Sequence, residues 1–157
     1  MIRSAVPADV PTILRFVREL AAFEREPDAV RASEADLHDA LFGPAPAAEA
    51  VIAQEGEPLG FALFFHNFST WTGKRGLYLE DLYVTPAARG RGVGAALLRH
   101  LAGIAVARGC GRFEWSVLDW NEGAIRFYRA LGAVGMEEWT VQRVEGAALE
   151  RLAHGGR

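Results

Sequence analysis

The sequence predicts a mixed α/β fold, and three observations carry that reading. Two strand-like runs flank Glu55-Gly56-Glu57-Pro58, which reads as a tight antiparallel connection. Between Leu77 and Leu118 a strand, a glycine-rich loop, a helix and a second strand follow one another, which predicts a parallel, right-handed crossover. Helical periodicity then returns from Ala124 to Leu131. The order is ββ, then βαβ, then αβ, and 157 residues suit a single domain, 1–157, with a real core.

Each element has its own signal. After Pro7, apolar residues at Val10, Ile13, Leu14, Val17, Leu20 and Ala21 mark one face of a helix. Ser33-Glu34-Ala35-Asp36 resembles a capping box, and Leu37, Leu41 and Phe42 supply the buried side of the helix it opens. Gly43 to Ala48 reads as a loop. Val51–Ala53, Phe61–Phe65 and Leu77–Val84 read as strands, the last ended by Thr85-Pro86. Ala95, Leu97, Leu98, Leu101, Ile104 and Ala105 give an amphipathic helix stopped by Gly109. Phe113–Leu118 is a further strand, and the Ala124–Leu131 helix closes on Gly132. Trp139 to Val144 reads as a last strand, and the tail from Ala153 to Arg157 as frayed.

Composition narrows the function. Half of the residues are hydrophobic and 24% charged, which excludes wholesale disorder. A net charge of -3 argues against the broad basic surface of a nucleic-acid binder. No apolar run approaches the roughly 18–20 residues that span a bilayer, and the N-terminus lacks the apolar stretch of a signal peptide, so a cytoplasmic location is expected without membrane partners. Cys110 is the only cysteine, so neither a disulfide nor a cysteine zinc cluster is available. His38, His66, His100 and His154 show no metal spacing, and no metal site is expected. No sequence motif supplies Cys110 with an adjacent base, and it reads as a packed small residue. Trp115 and Trp139 read as core or interface aromatics.

The most informative stretch is Arg89-Gly90-Arg91-Gly92-Val93-Gly94-Ala95, between a strand and a helix. Alternating glycines let the backbone approach a ligand and turn several amides toward one point. The helix start adds partial positive charge, and two arginines can add charge-assisted hydrogen bonds, so the loop reads as a phosphate cradle. Gly90, Gly92 and Ala95 also satisfy a loose dinucleotide pattern. However, Thr85 to Arg89 separate strand from glycine, where the dinucleotide turn follows its strand at once. There is no G-K-[ST] triphosphate loop. A pyrophosphate ligand that is neither NAD nor ATP remains, and coenzyme A fits.

The loop resembles the R/Q-x-x-G-x-G/A acetyl-CoA signature of the GNAT N-acetyltransferases. Tyr78-Leu79-Glu80-Asp81-Leu82-Tyr83-Val84, and the segment from Asp119-Trp120-Asn121 through Phe127-Tyr128 to Ala133, resemble the family's other two blocks in the same order and spacing. The likeness is closest to the spermidine/spermine and thialysine acetyltransferase branch. It implies a mixed, mostly antiparallel central sheet with a parallel strand–helix–strand acetyl-CoA unit, helices on both faces, and a homodimer.

The resemblance also implies roles. Backbone groups of Leu82, Tyr83 and Val84 would pair with the pantetheine arm, and Gly90 to Ala95 would hold the pyrophosphate. Asn121 and Ala124 would line the coenzyme near its sulfur. Tyr128 is the expected general acid, since a phenol with a pKa near ~10 carries a proton at neutral pH. Glu80 is the expected base, directly or through water, with Asp81 beside it. Strand alternation places Glu80 and Asp81 on opposite faces, Asp81 sharing that of Leu79. Phe23, Glu24, Ser69, Trp71, Glu114 and Ser116 would surround a small cationic amine, whose charge the carboxylates attract and Trp71 could stack upon. Ser69 stands where polyamine enzymes carry aspartate, which favours a thialysine-like or shorter diamine acceptor. Two other readings are a GNAT-like acyl-CoA sensor without turnover, which would need neither Glu80 nor Tyr128, and a small NAD(P)-binding domain.

Overall fold

A computed structural model describes residues 1–155, and they form two compact units that divide after Leu118. The first is an α/β layer structure whose five-stranded sheet runs in the order β1-β2-β3-β4-β5. Its strands are β1 (Ile2–Ser4), β2 (Glu49–Glu55), β3 (Glu57–Ser69), β4 (Lys74–Val84) and β5 (Arg112–Trp115). Helices α1 (Val10–Phe23) and α2 (Glu34–Phe42) precede β2, and α3 (Val93–Ala107) links β4 to β5. The first four strands pair antiparallel and β4–β5 pairs parallel, as the crossover predicts.

The strands are longer than their apolar runs, because hairpin pairing carries β3 and β4 out into the polar turn at 70–73. The short β1 carries no sequence periodicity and forms because it lies along β2. The β2–β3 connection is tight, with Gly56 at φ 74° supplying the left-handed turn residue. Ser33 caps α2 as expected: its Oγ accepts from the Asp36 amide at 3.1 Å, and Asp36 Oδ2 accepts from the Ser33 amide at 2.8 Å. The expected strand Phe113–Leu118 ends at Trp115, so Ser116 to Leu118 lie beyond the ladder.

Helices cover both sheet faces. Ile13, Phe16 and Leu41 pack with Ile52, Phe61, Leu63 and Tyr83 on the α1 face. The alternate residues of β3, Ala62 and Phe64, face the α3 layer, where the Arg108 guanidinium lies 5.9 Å from the Phe64 ring.

One irregularity decides where the β4 side chains point. Leu63 pairs with Asp81, but the next β3 residue, Phe64, pairs with Leu79, leaving Glu80 without a partner. Two residues oppose one, which is a β-bulge. Asp81 therefore shares the α1 face with its cross-strand partner Leu63, while Leu79 shares the α3 face with Phe64. Counting on from Leu79, Glu80 also turns to the α1 face. The expectation that Glu80 and Asp81 diverge is corrected by this extra residue. Just beyond, Gly60 pairs with Val84, and a Cβ there would run into the Tyr83 carbonyl oxygen.

The second unit holds α4 (Glu122–Ala130) and α5 (Gly146–Ala153). Gly132, at φ 97°, follows the end of α4 as predicted. The strand expected over Trp139–Val144 does not form: the segment is irregular, with Trp139 and Val141 exposed, so Trp139 is not a core residue here. Alternation alone does not make a strand where no neighbouring strand is bonded to it. The tail expected to fray contains Ala153, the last residue of α5, while Gly156 and Arg157 lie outside the described residues. Among the described residues no helix is long and apolar enough to cross a membrane.

The start of α1 is fixed by a two-pronged ion pair. Arg3 of β1 donates to both Asp9 oxygens, at 2.7 and 2.9 Å, and the Val6 amide donates to Asp9 at 2.8 Å. The Arg3 hydrogen bond holds the Asp9 carboxyl below its usual 3.8. Asp9→Ala leaves these donors short of an acceptor and should lower stability by about 1–3 kcal/mol at neutral pH. The lowered pKa stabilises the fold only while Asp9 is ionised, so the difference from wild type should shrink as pH falls below 3.8. Urea melts of both proteins at pH 7 and pH 3 check this, and an equal difference at both would refute it.

Candidate active site

The loop after β4 is built for an anion. A short 3₁₀ turn, Pro86–Ala88, ends β4, and buried Ala88 anchors it. Gly90 and Gly92 adopt φ 76° and 79°, the left-handed region that favours glycine. Gly92 is the N-cap of α3 and offers no side-chain cap. The Ala96 amide is the first to bond back, to Gly92 at 3.0 Å, so those of Val93, Gly94 and Ala95 have no partner within the helix. A Cβ at Gly90 or Gly92 would meet nothing within 4 Å, so the loop is open around these two residues. These donors fit a pyrophosphate.

The two arginines are already engaged. Arg89 folds back: its Nε donates to the Val84 carbonyl at 3.1 Å, and its guanidinium lies 5.3 Å from the Phe23 ring and 5.7 Å from the Tyr83 ring. It ties the loop to β4 and to the end of α1. Arg91 donates to Glu55 Oε2 at 2.6 Å. Neither Glu55 nor the backward turn of Arg89 was legible in the sequence, because both depend on how distant segments meet.

The edge of β4 beside the loop is open. β5 pairs with β4 only from Gly76 to Leu79, so beyond Leu79 no strand bonds to that side among the described residues. Leu82, Tyr83 and Val84 pair with Ala62, Phe61 and Gly60 on their other side. Tyr83 turns its ring into the core, where its hydroxyl donates to Glu19 at 2.6 Å. Burial, then that hydrogen bond, raises its pKa.

Carboxylates gather on the α1 face just before this edge. Glu80 and Asp81 lie side by side at the bulge, and Glu24 follows the last residue of α1. Burial raises the Asp81 pKa to about 6, with Glu80 and Glu24 repelling its charge. Burial, then Glu80, raises that of Glu24. Such mutual repulsion is relieved by a bound cation. Glu114 pairs with Tyr78, two positions before Glu80, and the Ser116 hydroxyl lies 2.9 Å from the Tyr78 hydroxyl.

Ser69 and Trp71 stand apart from this group. They sit at the β3–β4 turn, and the six steps from Lys74 to Glu80 span about 20 Å of strand. Ser69 Oγ accepts from the Trp71 and Thr72 amides at 3.2 and 3.3 Å, and the Arg112 guanidinium lies 5.9 Å from the Trp71 ring. Along the strand of one chain they lie well away from Glu80.

In the second unit, Asn121 caps α4 by accepting from the Ala124 amide at 3.2 Å. Tyr128 is half-buried on the same helix, its ring 5.6 Å from that of Phe127. Cys110 is also half-buried, with its sulfur 3.9 Å from His66 Nδ1. Among the described residues no group of histidine, cysteine or acidic side chains is arranged to hold a metal.

Comparison with known proteins gives this geometry its class. The profile of the Acetyltransferase (GNAT) family matches residues 14–133. The chain is 40% identical to a thialysine N-epsilon-acetyltransferase of Bos taurus over 165 residues, covering 98% of this chain and 96% of that one. It is 32% identical to an L-ornithine N5-acetyltransferase of Arabidopsis thaliana, covering 96% and 86%. The fold is similar to a solved integron cassette protein of V. cholerae, with a TM-score of 0.80, 31% identity and coverage of 98% and 96%. The chain belongs to the GNAT acetyltransferase family. It is an enzyme, an N-acetyltransferase.

The raised Asp81 pKa gives a stability test. Folded Asp81 keeps its proton to about pH 6, while an unfolded carboxyl releases it near 3.8, so between these values the folded chain binds more protons. Stability therefore falls as pH rises through that window. Asp81→Asn should be more stable than wild type above pH 6 by about 1–3 kcal/mol, with no difference below pH 3.5. Thermal melts across pH 3–8 check this, and a wild type more stable than the variant at pH 7 would refute it.

Proposed function

We propose that the chain, acting as one N-acetyltransferase domain over 1–157, transfers the acetyl group of acetyl-CoA to the primary amine of a small cationic acceptor. Thialysine, a lysine-like amine and a short diamine are the acceptors favoured. The observation that carries this reading is the carboxylate pair of Glu80 and Asp81, on the strand that leads toward the open glycine cradle, with Glu24 of the α1 end acting on both. Charge of one sign attracts the acceptor, and a set of amides that begins nine residues after Asp81, at Gly90, receives the phosphate. The names of the thialysine and ornithine relatives support an amino acid-like amine.

The loop amides from Gly90 to Ala95 hold the pyrophosphate, and Arg91 turns from Glu55 to join them. The open edge of Leu82, Tyr83 and Val84 offers backbone donors and acceptors to the pantetheine arm, much as a sheet edge receives an added strand. Acetyl-CoA supplies an acetyl group activated as a thioester. Asp81 and Glu24 draw in the ammonium form of the acceptor, and Glu80, directly or through one water, takes its proton. The freed amine attacks in a ternary complex: the C–N bond forms, the C–S bond breaks, Tyr128 protonates the departing thiolate, and the surplus proton on the new amide nitrogen passes to the Tyr128 phenolate. Asn121 and Ala124 line the coenzyme near its sulfur in this reading. Phe23, Glu114 and Ser116 border the acceptor, while Ser69 and Trp71 border it only if brought there from outside this chain's own strand. The reading includes a homodimer, a cytoplasmic setting and no metal.

Free-thiol release from acetyl-CoA, measured with thialysine, ornithine and spermidine, tests the proposal. The first two should be acetylated more efficiently than spermidine. Tyr128→Phe should lower turnover by roughly 10²–10⁴ with little change in acetyl-CoA affinity, since proton donation belongs to the transition state. Glu80→Gln should lose activity at neutral pH and recover part of it at alkaline pH, where more of the amine is already deprotonated. Full turnover in both variants would remove the assigned roles, and no thiol release with any amine would overturn the reading.

A further inference from the structure

The proposed phosphate loop has a neighbour with no role in the chemistry above. Glu55 ends β2 and opposes Glu57 directly across the Gly56 turn. Like charges facing each other across a hairpin destabilise it, so the pairing is not explained by hairpin stability. Glu55 also reaches out of the sheet to Arg91, at 2.6 Å. Both partners are exposed, 51% for the Arg91 side chain and 70% for that of Glu55. An ion pair of this kind is weak and readily exchanged in water. A carboxylate and a phosphate present similar oxygen pairs to a guanidinium, and the phosphate brings the greater charge.

We propose that Glu55 is a positioning residue of the cofactor loop: it holds Arg91 while the cradle is empty and releases it to the arriving pyrophosphate. This rests on the reading of Arg89 to Ala95 as a coenzyme site. The pair sets the resting direction of Arg91, so phosphate binding is an exchange of anions at one guanidinium. Binding is weakened by the cost of displacing Glu55. Release is hastened, because Glu55 recaptures Arg91 as the coenzyme departs. A loop that must shed its product on every turnover gains from such an arrangement.

The test is a double-mutant cycle with Glu55→Gln and Arg91→Gln, titrated with acetyl-CoA and, separately, with inorganic pyrophosphate. Glu55→Gln should tighten both ligands by about 1.5- to 5-fold, the range an exposed pair commands, chiefly through slower dissociation. In the Arg91→Gln background the same substitution should change neither affinity. Weaker binding by Glu55→Gln, or no change, would overturn the proposal. So would an equal gain in both backgrounds, because that outcome describes simple repulsion between Glu55 and phosphate. Pyrophosphate separates the two readings. An exchange seen with pyrophosphate but no binding of acetyl-CoA would overturn the coenzyme assignment and leave the exchange intact. A wild type that binds neither would overturn both.

Discussion

The extra residue in β4 reverses the alternation of the strand, and the pairing of Glu80 with Asp81 on one face follows from it. Without the bulge, Leu79 and Asp81 would share a face, and Asp81 would enter the α3 layer. With it, Leu79 stays buried, while Glu80 and Asp81 both turn to the face on which α1 ends at Glu24. The bulge converts a strand position that would bury one charge into a paired carboxylate site. Its cost is visible in the raised pKa values of Asp81 and Glu24, which burial and mutual repulsion produce. A cationic ligand relieves that strain.

Charge is divided along a short length of chain. From Glu80 to Val84 is about 13 Å of strand, and the loop amides follow. Acidic groups precede the open β4 edge and the positive end of α3 comes after it. Arg89 joins the two parts by spanning the Val84 carbonyl, Phe23 and Tyr83. A reaction between a cationic amine and an anionic coenzyme calls for such a separation, with the reacting groups meeting between the two fields.

Most of the elements and the left-handed glycine turns of the loop after β4 were legible because they rest on local chemistry. The Ser33–Asp36 capping box, the glycines at 90 and 92, and the apolar stripe of α1 each state their structure within a few residues. The bulge at Glu80 was illegible, since register depends on which β3 residue meets which β4 residue. The same holds for Arg91–Glu55, 36 positions apart, and for Arg89 against Phe23. The strand expected at Trp139–Val144 failed for the related reason that alternation needs a partner to become a ladder. The helix expected over Ala124–Leu131 forms as α4, and the structure adds the Asn121 cap that its sequence reading lacked.

The central claim is that the bulge makes one acceptor site from Glu80 and Asp81. Carboxyl carbon resonances of the two residues, followed by NMR while ornithine is titrated into the CoA-bound protein, test it directly. Both resonances should move with one common dissociation constant, and Asp81 should titrate at lower pH once the amine is bound, because the cation offsets the repulsion from Glu80 and Glu24. Movement of Glu80 alone, with the Asp81 titration left at about 6, would show that the two carboxylates serve different surfaces and would contradict the account.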